Sequence, residues 1–73
     1  MNKEKIIDVI KIALEVDEIK VDDSSETLEE WDSLGQLSIL SALDKETKGK
    51  ASKIKGLAEM FTVKEIIKAL ENI

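Results

Sequence analysis

Cysteine, histidine and proline are absent from this 73-residue chain, glycine occurs three times, and Trp31 and Phe61 are its only aromatics. Without cysteine there is no disulfide, no thiolate metal site and no thiol nucleophile. Without histidine the usual general base and the commonest metal ligand are missing as well. The residues that most often interrupt helices are scarce, so the composition is that of a small all-helical domain. No apolar run approaches the roughly 18 residues needed to span a bilayer. Met1-Asn2-Lys3-Glu4-Lys5 leads into an amphipathic segment containing Asp8 and Lys11, which does not read as a signal peptide. The expectation is a cytoplasmic protein with no membrane partner.

The length allows one domain, residues 1–73, whose single core is marginal unless very regular. The net charge of −5 and pI near 4.7 argue against nucleic acid as a partner. That charge is unevenly spread. Between Glu15 and Asp32 stand Asp17, Glu18, Asp22, Asp23, Glu26, Glu29 and Glu30 against Lys20 alone. Between Lys45 and Lys55 stand Lys48, Lys50 and Lys53 against Glu46 alone. These runs are either two solvated surfaces that partly neutralise each other or, for the first, an acidic docking surface for a basic partner.

Helical periodicity divides the chain. Over residues 3–16, Ile6, Ile7, Val9, Ile10, Ala13, Leu14 and Val16 share one side and Glu4, Asp8, Lys11 and Glu15 the other, with Asn2 as N-cap and Ile12 left exposed. Residues 17–32 lose the period. Val21 and Leu28 read there as plugs against the core, and Thr27 to Glu30 has the spacing of a capping box that could open a single turn. A loop of this length in so small a domain is often functional. Residues 33–47 read as a second helix with Leu37, Ile39, Leu40 and Leu43 inward, Ser38, Ser41 and Lys45 outward, Leu34 among the outward residues and Gln36 unexplained on the apolar side. Gly49 is expected to end it after Lys48. Ser52 can cap a short segment to Met60 carrying Ile54, Leu57 and Ala58, which Gly56 should loosen. Thr62-Val63-Lys64-Glu65 is a capping box opening a last helix with Val63, Ile66, Ile67, Ala69, Leu70 and Ile73 on one stripe. The expected fold is all-α: a small bundle of three main helices plus one short helix, with a long loop between helices one and two.

The chemistry concentrates at Trp31-Asp32-Ser33-Leu34, where the acidic loop becomes a helix. A serine hydroxyl at a helix N-terminus is where a phosphate ester is best held, because unpaired N–H groups and the helix dipole favour an anion. Asp32 is also a good N-cap, and Trp31 is expected to anchor the loop against the core. Leu34, apolar on a polar face, is a candidate partner contact. Met60 is read as either core or surface. The acidic loop lacks the acid ladder and central glycine of a calcium-binding loop, so no metal site is expected. No nucleophile–base pair is visible, so the isolated chain is not expected to be an enzyme.

Helix, long acidic loop, Asp-Ser-Leu at the head of helix two, short helix and final helix together resemble the acyl carrier protein family over essentially the whole chain. Trp31-Asp32-Ser33-Leu34 is most similar to the free-standing bacterial carriers. The resemblance implies that Ser33 receives 4′-phosphopantetheine from coenzyme A, attached by a phosphopantetheinyl transferase that uses Mg²⁺. The thiol of that arm then carries an acyl or aminoacyl group as a thioester. It implies that Asp32 helps the transferase bind metal or orient the hydroxyl, that Leu34 and Leu37 meet partners or cargo, and that Met60 borders the arm. Implied partners are the transferase, an acyl- or aminoacyl-loading ligase and an acyltransferase, acting on a monomer. Helix two here has a serine- and lysine-bearing outer face and a basic following segment where fatty-acid carriers are acidic, which points to a dedicated pathway of lipid or secondary-metabolite synthesis. The alternative from another class is an unmodified helical interaction module that scaffolds partner proteins.

Overall fold

The computed structural model describes all 73 residues, Met1–Ile73. It is all-helical: α1 spans Lys3–Leu14, α2 Ser33–Glu46 and α3 Val63–Leu70, with two single 3₁₀ turns, Ala51–Lys53 and Leu57–Glu59, between α2 and α3. None of these helices is long and apolar enough to cross a membrane.

The Asn2 side chain accepts the Lys5 N–H at 2.8 Å and starts α1. Glu15 ends it in the left-handed conformation, its N–H donating back to the Ile12 and Lys11 carbonyls. Between these caps Ile6, Val9, Ile10 and Leu14 turn inward, while Ile12 faces solvent. At the other end of the chain Thr62 Oγ1 accepts the Glu65 N–H at 3.1 Å and donates to the Glu65 carboxylate at 2.8 Å. That cap opens α3, which buries Val63, Ile66, Ile67 and Leu70. Ala69 is half-buried beside them and Ile73 lies beyond the helix, exposed. Thr62→Ala should cost about 1 kcal/mol, the usual worth of such a cap, measured as a shift of the urea midpoint at unchanged slope.

Residues 15–32 cross from α1 to α2. Val21 and Leu28 are half-buried against the core, as their isolation in a polar stretch suggested, but the deepest apolar side chains of the loop are Ile19 and Trp31. Thr27 starts no helical turn with Glu30. Its hydroxyl is engaged within the loop, accepting the Ser24 N–H at 2.9 Å and donating to Asp23 Oδ1 at 2.9 Å. The loop is pinned to the start of α3 by an isolated antiparallel bridge at Ser24 and Thr62, with Ser25 N–H donating to the Phe61 carbonyl and Val63 N–H to the Asp23 carbonyl.

Helix α2 departs from the expected pattern in three ways. It ends at Glu46, slightly earlier than its period suggests, because the buried Thr47 caps it: Thr47 Oγ1 donates to the Leu43 carbonyl at 2.7 Å and accepts the Ala51 N–H at 2.9 Å. Leu37, expected inward, is 61% exposed, and the inward position beside it belongs to Gln36 at 4%. The segment after α2 is two separate 3₁₀ turns, broken where Gly56 takes the left-handed conformation at φ 82°. Ser52 lies inside the first of them and donates its hydroxyl proton to the Gly49 carbonyl instead of capping a helix.

The three helices share one core of Ile, Leu, Val and Ala side chains closed by Trp31. Lys5 Nζ meets Glu46 at 2.8 Å across the α1–α2 seam. Its ammonium is raised above the ordinary lysine pKa, first by that hydrogen bond and then by the Glu46 charge. The N-terminal ammonium donates to the Leu70 and Ile73 carbonyls, joining the beginning of α1 to the end of α3.

Candidate functional site at the head of α2

Asp32 caps α2 in an extended conformation, and its Oδ1 accepts the Gly35 N–H at 2.8 Å while its carbonyl accepts the Gln36 N–H at 2.8 Å. Ser33 follows as the first helical residue, exposed, with no hydrogen bond to its hydroxyl from the protein. The N–H groups of Ser33 and Leu34 likewise find no acceptor within the chain, as expected for the first turn of a helix. One point therefore joins a free hydroxyl, two free N–H donors, the positive end of a 14-residue helix and a carboxylate with its second oxygen open to solvent.

Two residues hold this junction in place: Gly35, which the sequence pattern hides, and Gln36, which it sets on the apolar side without a reason. Gly35 is buried where α2 passes the loop and the end of α1. A Cβ there would lie 2.3 Å from the Glu30 carbonyl oxygen and 2.9 Å from Leu14 Cδ2. Only a residue without a side chain lets the helix start so close to the loop. Gln36, one residue on, accepts the Trp31 indole N–H at 2.6 Å through Oε1. Its Nε2 donates to the Ala58 carbonyl at 3.1 Å and the Met60 carbonyl at 3.0 Å. A single buried amide thus ties the loop, α2 and the second 3₁₀ turn together, and no buried polar side-chain atom is left without a partner. The signal available in sequence was the pairing of a lone tryptophan with a glutamine five residues later on an apolar face. An indole N–H buried in a core needs an acceptor.

Trp31 is 2% exposed and anchors the loop, as anticipated. Leu34 is 73% exposed and lies with Leu37, Ser38, Ser41, Ala42 and Lys45 along a shallow surface groove on α2. Leu37 thus shares the outer face with Leu34. Met60 is half-buried against the core, and its demonstrated link to the site is its main-chain carbonyl on Gln36. On another side of α2 a half-open cavity of about 290 Å³ lies against the chain between the helix and α3, lined by Leu40, Ala51, Ile54, Leu57 and Ala58, with Asp44, Ser52 and Glu59 also in its wall. The acids of the chain do not converge, and no three of them form a group able to hold a metal ion. The chain matches no protein-family model, no curated protein and no solved structure.

Proposed function

We propose that the protein is an acyl carrier protein, a non-enzymatic domain that bears 4′-phosphopantetheine on Ser33 and presents an acyl or aminoacyl thioester to partner enzymes. The observation that carries the reading is the free Ser33 hydroxyl, at the head of α2 with unpaired N–H groups around it and the capping Asp32 carboxylate beside it. A small bundle of three helices and two 3₁₀ turns, with its long connection delivering the chain to Asp32, suits the role because everything but Ser33 and its flanking surface is support.

The residues fit the implied group. A phosphoester on Ser33 Oγ would have the Ser33 and Leu34 N–H groups and the positive end of α2 to offset its charge. Attachment would join Ser33 Oγ to the phosphorus that bears the pantetheine and break the pyrophosphate bond of coenzyme A. Adenosine 3′,5′-bisphosphate leaves, and the hydroxyl proton passes to a base of the phosphopantetheinyl transferase. The outer oxygen of Asp32 is open for the Mg²⁺ that the transferase brings. Once loaded, the arm's thiol supplies the thioester linkage, and the chain's own surface supplies recognition. In this reading the transferase, a ligase and an acyltransferase meet a monomeric cytoplasmic carrier.

The test is incubation of the purified protein with coenzyme A and a broad-specificity transferase. The expected result is a mass gain of about 340 Da, the increment of one phosphopantetheine ester, mapped to the peptide containing Ser33. No gain, or a gain elsewhere, overturns the proposal.

Leu34 supports a prediction about partners. A partner reaching Ser33 must cover this exposed leucine and meet Asp32, Glu29 and Glu30 with cations. Leu34→Glu should therefore lower transfer to a cognate partner by about 1–3 kcal/mol, in kcat/KM, with unfolding unchanged because the side chain is in solvent. Lys45 at the far end of the same groove, with Lys48 just beyond α2, disfavours partners built for a uniformly acidic helix. Chain extension on this carrier by a purified fatty-acid synthase system should accordingly be poor.

A further inference from the structure

We propose that the lysine run from Lys45 to Lys55 is a docking face for an acidic protein surface. The chain has eleven lysines, and three of them are in ion pairs: Lys5 with Glu46, Lys11 with Asp8 and Lys64 with Asp22. Of the eight left over, five are Lys45, Lys48, Lys50, Lys53 and Lys55, and all five are exposed. No ion pair joins this run to the acidic loop, whose one bridge goes from Asp22 to Lys64 on α3. The acids close by in sequence do not absorb it either, because Glu46 is taken by Lys5 and only Asp44 and Glu59 remain. The lysines also stand on a fixed platform. Thr47, Ala51 and Leu57 are buried between them, the Thr47 hydroxyl ties the Leu43 carbonyl to the Ala51 N–H, and the first 3₁₀ turn packs on α2. Main chain held in this way keeps the charges together and needs no ordering when a partner binds.

Charge and size select the occupant. The molecule measures 27 Å in its longest direction and carries a net charge of −5. The screening length at physiological ionic strength is about 8 Å, so the acids of the 15–32 loop are never far from the lysines on that scale. A nucleic acid or an anionic bilayer presents negative charge over a span larger than the whole molecule, and meets net repulsion. A folded protein gathers its acids in a patch, which can face the lysines and avoid the loop. Continuity with the surface beside Ser33 points the same way. Lys45 closes the shallow groove that holds Leu34 and Leu37. It lies twelve residues beyond Ser33, about 18 Å along α2 at 1.5 Å per residue, within the span of an interface of about 800 Å² per partner. A partner seated on that groove meets Glu29, Glu30 and Asp32 at one end and Lys45 and Lys48 at the other. Opposite charges at the two ends fix its direction along α2 and reject the reversed pose. The inference goes beyond the carrier reading and holds whether or not Ser33 is modified.

The experiment titrates the whole ¹⁵N-labelled protein with hexaglutamate, blocked at both ends, and follows each main-chain amide by NMR. It is run at about 10 mM salt and again at about 0.15 M, which shortens the screening length from about 30 Å to about 8 Å. Shifts should concentrate at residues 45–55 and shrink at the higher salt. The triple variant Lys48→Glu, Lys50→Glu, Lys53→Glu should bind the peptide at least about tenfold more weakly. The triple variant Lys3→Glu, Lys20→Glu, Lys68→Glu makes the same change in net charge at three other exposed, unpaired lysines. It should stay within about twofold of the wild type, because its lysine run is intact. Thermal unfolding checks that both variants are folded. Wild-type shifts spread evenly over all the lysines, read without any variant, overturn the proposal, and so does an equal loss in the two variants. Shifts of the 45–55 amides on concentrating the protein alone would make a second copy the occupant and also overturn it. Cosedimentation with vesicles of phosphatidylcholine and phosphatidylglycerol in equal parts, at the higher salt, would do so in favour of a membrane. Loading of Ser33 is a separate measurement. A protein that loads but shows no preference of the peptide for residues 45–55 refutes the docking face alone, whereas one that fails to load but shows that preference refutes only the carrier reading.

Discussion

Ser33→Ala is expected to give a folded protein that takes up no phosphopantetheine at all. The Ser33 hydroxyl is exposed and makes no hydrogen bond within the protein, and the cap of α2 is Asp32, which the substitution leaves in place. Alanine is also the best helix former, so stability should move by no more than about 0.5 kcal/mol. Four of the other serines offer poorer sites. Ser24 sits in the bridge to Thr62 and its hydroxyl accepts the Glu26 N–H, while Ser52 donates to the Gly49 carbonyl. Ser38 and Ser41 lie inside α2, where main-chain N–H groups are already used by the helix. Incubation of the variant with coenzyme A and transferase, read by intact mass, should show the unmodified protein alone. Labelling of the variant at Ser24, Ser38 or Ser52 would show that the attachment site had been misread. A collapse of its thermal unfolding would show instead that Ser33 is structural.

What could be read ahead of the structure was what local rules govern. Asn2 and Thr62 cap α1 and α3 because side-chain oxygens three residues before a free N–H make the same bond in almost any context. The inward stripes Ile6-Val9-Ile10 and Ile66-Ile67-Leu70 follow from helical period and burial. The burial of Gln36, expected but unexplained, and the exposure of Leu37 on α2 have a different origin. Neighbouring positions on a helix are 100° apart, so hydropathy favours placing the leucine inside. The interior instead holds a buried indole N–H lacking an acceptor and two carbonyls lacking a donor, and one glutamine amide serves all three. Those demands come from residues up to 24 positions away, which no local pattern contains. Thr47 is a more local case: its hydroxyl donates to Leu43 and accepts from Ala51, each four residues away, so the helix closes on side-chain bonds in addition to its glycine signal. At the candidate site, the placement of Asp32, Ser33 and Leu34 was legible because it is set by a loop-to-helix junction. Gly35 and Gln36 hold that junction through contacts that only the folded chain makes.

Gly35→Ala is expected to be the most damaging single-methyl change in the molecule. Its new Cβ would lie 2.3 Å from the Glu30 carbonyl oxygen and 2.9 Å from Leu14 Cδ2. The leucine methyl can rotate aside, but the carbonyl belongs to the main chain that leads directly into Trp31, whose indole is locked onto Gln36. Relieving the overlap must either lift α2 from the loop or draw Trp31 out of the core, and both open the packing at its closed end. The expected loss is about 2–4 kcal/mol, even though alanine favours a helix over glycine by about 1 kcal/mol. For a domain this small that corresponds to a fall in Tm on the order of 10–20 °C. Gly56→Ala is the matched control. Gly56 has φ of 82°, but no atom lies within 4 Å of the place its methyl would take, so it should lose only the strain of a left-handed alanine, about 1–2 kcal/mol. Urea unfolding followed by Trp31 fluorescence should rank the two variants in that order, and the reverse order would mean that the loop yields at Glu30. Because the displaced segment contains Asp32 and adjoins Ser33, the Gly35 variant should also accept phosphopantetheine more slowly under conditions where it remains folded. The Gly56 variant should load at the wild-type rate, which separates damage at the junction from loss of stability alone.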